Sequence, residues 1–242
     1  MLASPGHNFE KNIKNPLTPI AIDFDVNRHV LLICFSGLAG KLGLPIFEFN
    51  RLTSKMDGVN KIYLRDAQKL WYHRGVQGVG KNIAAIATFL KGYTRHPSTR
   101  RIVVLGNSGG AYAALLFGYL LTADEVHAFS PKTIISPLKR LLIYDLPRRE
   151  PARGLWKLFW FGERKYFDLK RVFSNSVGRH NTFHIYYSAY NRIDHFHAVR
   201  MGTLAGVHLH AYAHAEHNLI KHLRQSGELV QIIEKALQVS RE

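Results

Sequence analysis

Apolar positions in this chain gather into short runs bounded by turn residues. Six runs have the length and β-branched content of strands: "HVLLICFSG" (29–37), "NKIYLRD" (60–66), "RRIVVLG" (100–106), "EVHAF" (125–129), "TFHIYYS" (182–188) and "GVHLHAY" (206–212). Between the second and third, "NIAAIATFL" sets Ile83, Ile86, Ala87 and Leu90 on one face, which is the period of a helix. The stretch after Ser108 is apolar nearly all round and predicts a buried helix. Two more helices are expected after the last strand, Glu216 to Leu223 and Gly227 to Gln238, the second with Leu229, Ile232, Ile233 and Leu237 on one stripe. Strands alternating with helices predict an α/β fold: a central, mostly parallel sheet with helices on both faces.

One stretch breaks the alternation. Residues 132–180 separate two strands by far more than a connection requires, and such excursions are often lids or binding loops. Within it, "RGLWKLFWFGERKYF" (153–167) interleaves Trp156, Phe159, Trp160, Phe161 and Phe167 with Arg and Lys. The expectation is one domain spanning 1–242, carrying a cap or lid insertion at about 132–180. Packing of those aromatics onto the body is the plainer alternative.

Composition narrows the class. With 242 residues, 46% of them apolar, the chain can bury a full core, so disorder is excluded. Net charge is +16, and residues 132–180 hold twelve Lys and Arg against four Asp and Glu, half the total excess in a fifth of the chain. Such a patch attracts an anionic surface or an acidic carrier, although charge also simply confers solubility. The single cysteine, Cys34, lies in an apolar run; it can form no intramolecular disulfide and fits a reducing, cytoplasmic compartment. The opening "MLASPGHNFEKNIKNPL" has no apolar stretch of signal-peptide length, and no segment approaches the ~20 apolar residues of a membrane helix.

The candidate chemistry sits where the third run ends. Strand, then Gly106-Asn107-Ser108-Gly109-Gly110, then helix is the G-x-S-x-G nucleophile elbow in its proper context. A sharp turn there lifts the serine hydroxyl clear of the sheet at a helix start, where free N–H groups favour developing negative charge. A serine needs a base to take its proton and an acid to orient that base. "TFHIYYS" is followed by "AYNRIDHFHA", which offers Asp194; "GVHLHAY" is followed by "AHAEHNL", which offers His217. Glu216, Asp168 and Asn191 compete with Asp194, and His210 and His214 with His217.

Ser108, Asp194 and His217 stand in the chain order of a known family, and from about Asn27 to its C-terminus the sequence resembles an α/β-hydrolase of the serine esterase and lipase type. The resemblance implies an oxyanion hole formed by the backbone N–H of Gly109 and a second donor from "FSGLAGKLG". Leu38 is the choice for that donor and Gly37 the fallback, because this loop lacks the His-Gly-Gly-Gly form. Gly37, Asn107 and Lys132 are the expected substrate contacts, with Lys132 available to an anionic group. The implied reaction is cleavage of a small-molecule carboxylic ester through an acyl-enzyme, with acyl transfer by the same triad, or a non-catalytic binding protein of this fold, as alternatives. No cofactor is expected. "FGYLLTADEVHAFSPKT" and "WYHRG" also resemble stretches of uncharacterised bacterial hydrolases linked to surface polysaccharides, which fixes no substrate.

Rival motifs are weaker. His208, His210, His214 and His217 have the spacing of a zinc site, but no carboxylate motif or cysteine supports it and fourteen histidines cluster by chance, so no metal is expected. Gly75-x4-Gly80-Lys81 begins a P-loop, yet Asn82 replaces the Ser or Thr that would hold Mg²⁺; a loop leading into a helix at Asn82 is expected instead. Basic charge with interleaved aromatics suits nucleic acid, but no nucleic-acid-binding motif accompanies it and none is expected to bind.

Overall fold

The structure is a computed structural model that describes residues 9–37, 47–145, 152–174, 181–213 and 217–238. Its centre is one seven-stranded sheet: β1 (Ile20–Asp23), β2 (Val30–Phe35), β3 (Val59–Leu64), β4 (Arg101–Asn107), β5 (Glu125–Phe129), β6 (Thr182–Ser188) and β7 (Val207–Tyr212), in the order β1-β3-β2-β4-β5-β6-β7. Every neighbouring pair is parallel except β1 with β3. β1 was not among the expected strands. Its four residues "IAID" are too few for a periodic signal, and pairing with β3 holds them at the edge.

Helices cover both faces. In chain order they are α1 (Phe9–Lys14), α2 (Asn50–Thr53), α3 (Ile83–Thr94), α4 (Gly109–Leu121), α5 (Pro137–Leu142), α6 (Ala152–Phe161), α7 (Leu169–Ser174), α8 (Arg192–Val199), α9 (Leu219–Gln225) and α10 (Glu228–Leu237). Side chains of α3, α4 and α7 join Leu31, Ile33 and Phe35 of β2 in one core. On the opposite face, α1, α9 and α10 close over Leu32, Cys34, Val103 and Leu105. β2 is buried at all six positions because both its faces are covered, which is why it reads as a continuous apolar run rather than an alternating one. Cys34 lies in that buried strand, and burial pushes its thiol pKa well up, which makes it an inert packing group.

α4 follows the strand–helix turn directly and buries every residue but Leu120, as its unbroken apolar sequence requires. Among the described residues, no helix is long and apolar enough to cross a membrane.

The long excursion leaves β5 and returns at β6. Phe167 is buried against the body, as are Leu169 and Phe173 beyond it, while Trp160 and Phe161 are exposed. A short backbone exchange, Ile135 N–H to Phe167 O and Leu169 N–H to Thr133 O, ties the start of the excursion to the residues that lead into α7.

Candidate active site

The strand β4 ends and α4 begins at a single residue. Ser108 has φ 51° and ψ −113°, a conformation that side-chain-bearing residues rarely adopt and that costs roughly 1–3 kcal/mol. Two neighbouring glycines permit it. A Cβ on Gly106 would stand 2.1 Å from Gly110 O, and one on Gly110 would stand 2.2 Å from Phe35 O, so the turn closes only if both positions lack side chains. Ser108 N–H donates to Phe129 O at 2.8 Å, and Ser108 O accepts from Ala111 and Tyr112 N–H at the start of α4. The strained residue is thus held by β5 on one side and by a buried helix on the other.

Asp194 and His217 meet at the same edge of the sheet. Asp194 lies in the first turn of α8, just beyond β6, where Asn191 caps the helix by accepting from the N–H groups of Ile193 and Asp194. The sequence pattern places Asp194 only in a post-strand segment; the helix there starts at the Asn191 cap. Its side chain is fully buried. His217 follows β7, and its Nδ1 lies 2.8 Å from Asp194 Oδ1 and 3.0 Å from Oδ2. With Nδ1–H donated to the carboxylate, Nε2 is the free ring nitrogen, on a side chain about half exposed. Among the described residues no hydrogen bond joins Ser108 Oγ to His217.

The glycine loop is tied down by a residue that the sequence reading missed. Glu48 Oε2 accepts Gly37 N–H at 2.8 Å and Glu48 Oε1 accepts Asn107 Nδ2 at 2.7 Å, while Ser36 Oγ accepts Glu48 N–H at 3.1 Å. One carboxylate therefore links the loop after β2 to the residue preceding the serine. Burial pushes the Glu48 pKa up, with the bonds from Asn107 and Gly37 opposing it. Two expectations change. Gly37 N–H is committed to Glu48 and is not a free oxyanion donor, and the Asn107 amide nitrogen likewise donates to Glu48. Gly109 N–H remains at the head of α4, near Gly37; Leu38, the preferred second donor, lies outside the described residues.

Lys132 also differs from expectation. Its ammonium pairs with Asp145 Oδ1 at 3.0 Å, while Asp145 Oδ2 takes Arg140 Nε at 3.0 Å and lies 3.3 Å from His197 Nε2. With only 12% of its side chain exposed, a lone ammonium would be poorly solvated, and the carboxylate supplies the compensating charge. Burial alone would raise the Asp145 pKa, but His197, Lys132 and Arg140 outweigh it and hold the carboxyl well below the usual range. Lys132 is a structural ion-pair member, not a cation standing free.

The loop after β3 supports the elbow helix. Asp66 accepts the N–H groups of Gln68, Leu70 and Tyr72, and so stabilises a stretch in which Lys69, Trp71 and Tyr72 all have positive φ. His73 then bridges three segments. Its Nδ1 accepts Glu163 N–H at 2.9 Å, its Nε2 lies 3.0 Å from Tyr112 Oη on α4, and Tyr112 Oη donates to Tyr166 O at 2.8 Å. The P-loop reading finds no room here: at the start of α3, Asn82 Oδ1 accepts Ala85 N–H and Glu163 Oε1 accepts Ile83 N–H, so side chains occupy the donors a phosphate would need. The zinc-like run is divided, since His217 is bound to Asp194 while His208 and His210 stand beside β6; His214 lies outside the described residues.

A chain with this sheet and this strand–serine–helix turn has the α/β-hydrolase fold. No family model matches it, and no curated protein sequence does. Solved structures do. The capsule O-acetyltransferase of Neisseria meningitidis serogroup A superposes with a TM-score of 0.60 at 13% identity, over 91% of this chain and 99% of that one. An α/β-hydrolase enzyme from the sediment metagenome of the Mar Chica lagoon gives a TM-score of 0.55 at 12% identity, over 89% and 94% of the two chains. A proline iminopeptidase-related protein from Thermus thermophilus gives 0.52 at 11%, over 90% and 93%. At these identities the likeness is one of fold.

Proposed function

We propose that the chain is a serine enzyme of the α/β-hydrolase fold that cleaves a carboxylic ester through an acyl-enzyme on Ser108. The observation that carries the reading is the pairing of His217 Nδ1 with both oxygens of the buried Asp194, next along the sheet edge from a serine held in a strained turn. His217 Nε2 takes the Ser108 proton during attack, and Asp194 holds the imidazole and stabilises its cation. Gly109 N–H and Leu38 N–H receive the oxyanion. Water then releases the acyl group.

In this reading the insertion at about 132–180 serves as the cap. The exposed Leu141, Leu142, Trp160 and Phe161, set among exposed lysines such as Lys157 and Lys165, suit a substrate or surface with both apolar and anionic parts. Comparing turnover of neutral and carboxylated esters of equal chain length tests this; equal rates would remove the anionic preference.

Acyl transfer is the second reading, favoured by the similarity to a capsule O-acetyltransferase, one structure of which is a complex with CoA. The two readings share the acyl-enzyme and differ in what resolves it. The test is labelling by a fluorophosphonate probe in wild type, Ser108→Ala and His217→Ala, followed by thiol release from acetyl-CoA with and without polyol acceptors. Labelling lost in both variants is expected. Folded wild-type protein that does not label would overturn the serine-enzyme reading, and acceptor-dependent thiol release would select transfer over hydrolysis.

A further inference from the structure

Four histidines stand side by side on the α9/α10 face of the sheet, away from Ser108. In the β5–β6 register His127 faces His184, and in the β6–β7 register His184 faces His208 and Tyr186 faces His210. The rings lie close: His127 and His184 have centroids 4.8 Å apart at 14°, and Tyr186 stacks on His210 at 4.5 Å. Glu125, one rung back on the same face of β5, closes the group.

We propose that Glu125, His127 and His184 form a binding site for a divalent transition-metal ion of the zinc type, with Tyr186 and His210 orienting the two imidazoles. One ligand atom from each of the three residues lies within 4.8 Å of the others. Three ligands of a tetrahedral zinc ion stand roughly 3.4 Å apart, so small side-chain rotations complete the site. Glu125 Oε2 and His127 Nε2 are already 3.1 Å apart.

The partners of these groups favour an ion over a plain charge network. His127 Nδ1 bonds Tyr186 Oη at 3.0 Å, and His184 Nδ1 lies 3.0 Å from His210 Nε2. Each imidazole therefore has Nδ1 committed to an outer partner, the arrangement that fixes histidine ligands in metal sites, while His127 Nε2 already faces the Glu125 carboxylate with which it would share the ion. Arg101 Nη2 holds Glu125 Oε1 at 2.8 Å, so the other oxygen, Oε2, is the one turned toward His127, and an ion would take the place of that Oε2–Nε2 contact. An ion pair of Glu125 with Arg101 and His127 explains those three residues, but not why His184 and His210 are brought up beside them.

The site lies toward the N-terminal ends of β5 and β6, since Glu125 opens β5 whereas Ser108 is bonded to Phe129 at its far end. An ion there would cross-link two strands next to the edge strand β7. Its role is structural, and the inference is independent of the chemistry at Ser108.

The test is calorimetric titration of tag-free, chelator-treated full-length protein with Zn²⁺, with Co²⁺ absorption as a second probe. One equivalent of Zn²⁺ is expected to bind, to raise Tm, and to give tetrahedral Co²⁺ bands. His184→Ala and Glu125→Gln, each checked by circular dichroism, should weaken binding at least tenfold, while His217→Ala should not change it. No binding to the folded wild-type protein would overturn the proposal. So would binding that survives in both His184→Ala and Glu125→Gln, or that disappears in His217→Ala alone.

Discussion

Acid should weaken the junction at His73 by an amount that its hydrogen bonds set. Because Nδ1 accepts Glu163 N–H, the ring proton sits on Nε2 and points at Tyr112 Oη, which donates its own O–H to Tyr166 O. A second proton on Nδ1 would face an N–H donor. Burial alone moves the His73 pKa down from 6.5 to about 3. A histidine depressed in the folded state contributes stability that is complete above the unfolded pKa and is lost as pH falls from there toward the folded value. Integrating between those limits gives a loss of about 2 kcal/mol between pH 7 and 5 and about 3 kcal/mol by pH 4. His184, held at about 4, and His197, also lowered by burial, add slopes of the same sign. The assay is therefore a difference: urea unfolding of wild type and His73→Gln at pH 7, 6, 5 and 4. Wild type should lose about 2 kcal/mol more than the variant by pH 5. Parallel pH profiles would refute both the tautomer and the buried neutral state.

Four further changes probe other parts of the argument. Asp194→Asn should leave the fold intact by circular dichroism and slow fluorophosphonate labelling about a thousand- to ten-thousandfold, because the imidazole loses its orienting carboxylate; an unchanged rate would remove Asp194 from the proposed triad. Glu48→Ala leaves Gly37 N–H and the Asn107 amide without their acceptor and should cost about 2–5 kcal/mol in urea unfolding, a loss below half a unit showing that water replaces the carboxylate. Gly110→Ala drives a methyl into Phe35 O, a backbone atom that cannot step aside, so a drop of about 3 kcal/mol or failure to fold is expected in thermal melts. Leu105→Ala, in a fully buried position of β4, should cost ~2–5 kcal/mol, and a loss of a few tenths would contradict the central place of that strand.

The order of elements was readable because long parallel strands and a buried helix leave unbroken apolar runs. β2, β5, β6 and β7 fall within their expected segments, β3 begins and β4 ends one residue outside theirs, and the glycines around Ser108 announce a turn that only glycine can close. What escaped was held together by long-range polar contacts. Glu48 sits in the apolar-looking "FEFN" and owes its position to Asn107, fifty-nine residues away; no local spacing connects them. Lys132 read as a free cation because Asp145, its partner, is thirteen residues downstream in a basic stretch, where net charge hides individual pairs.

The histidines illustrate the same limit from the other side. Along the chain, His208, His210, His214 and His217 form a run that suggests one shared site, yet the fold sends His217 to Asp194 and sets His210 against His184. Strand register, not sequence spacing, decides which imidazoles meet, and register becomes visible only when β5, β6 and β7 are aligned. The carboxylate that stands near histidines is Glu125, and it groups with His127 and His184, neither of which belongs to that run. The motif at Ser108 was legible because its chemistry is local, whereas the grouping of Glu125, His127 and His184 is a property of the sheet.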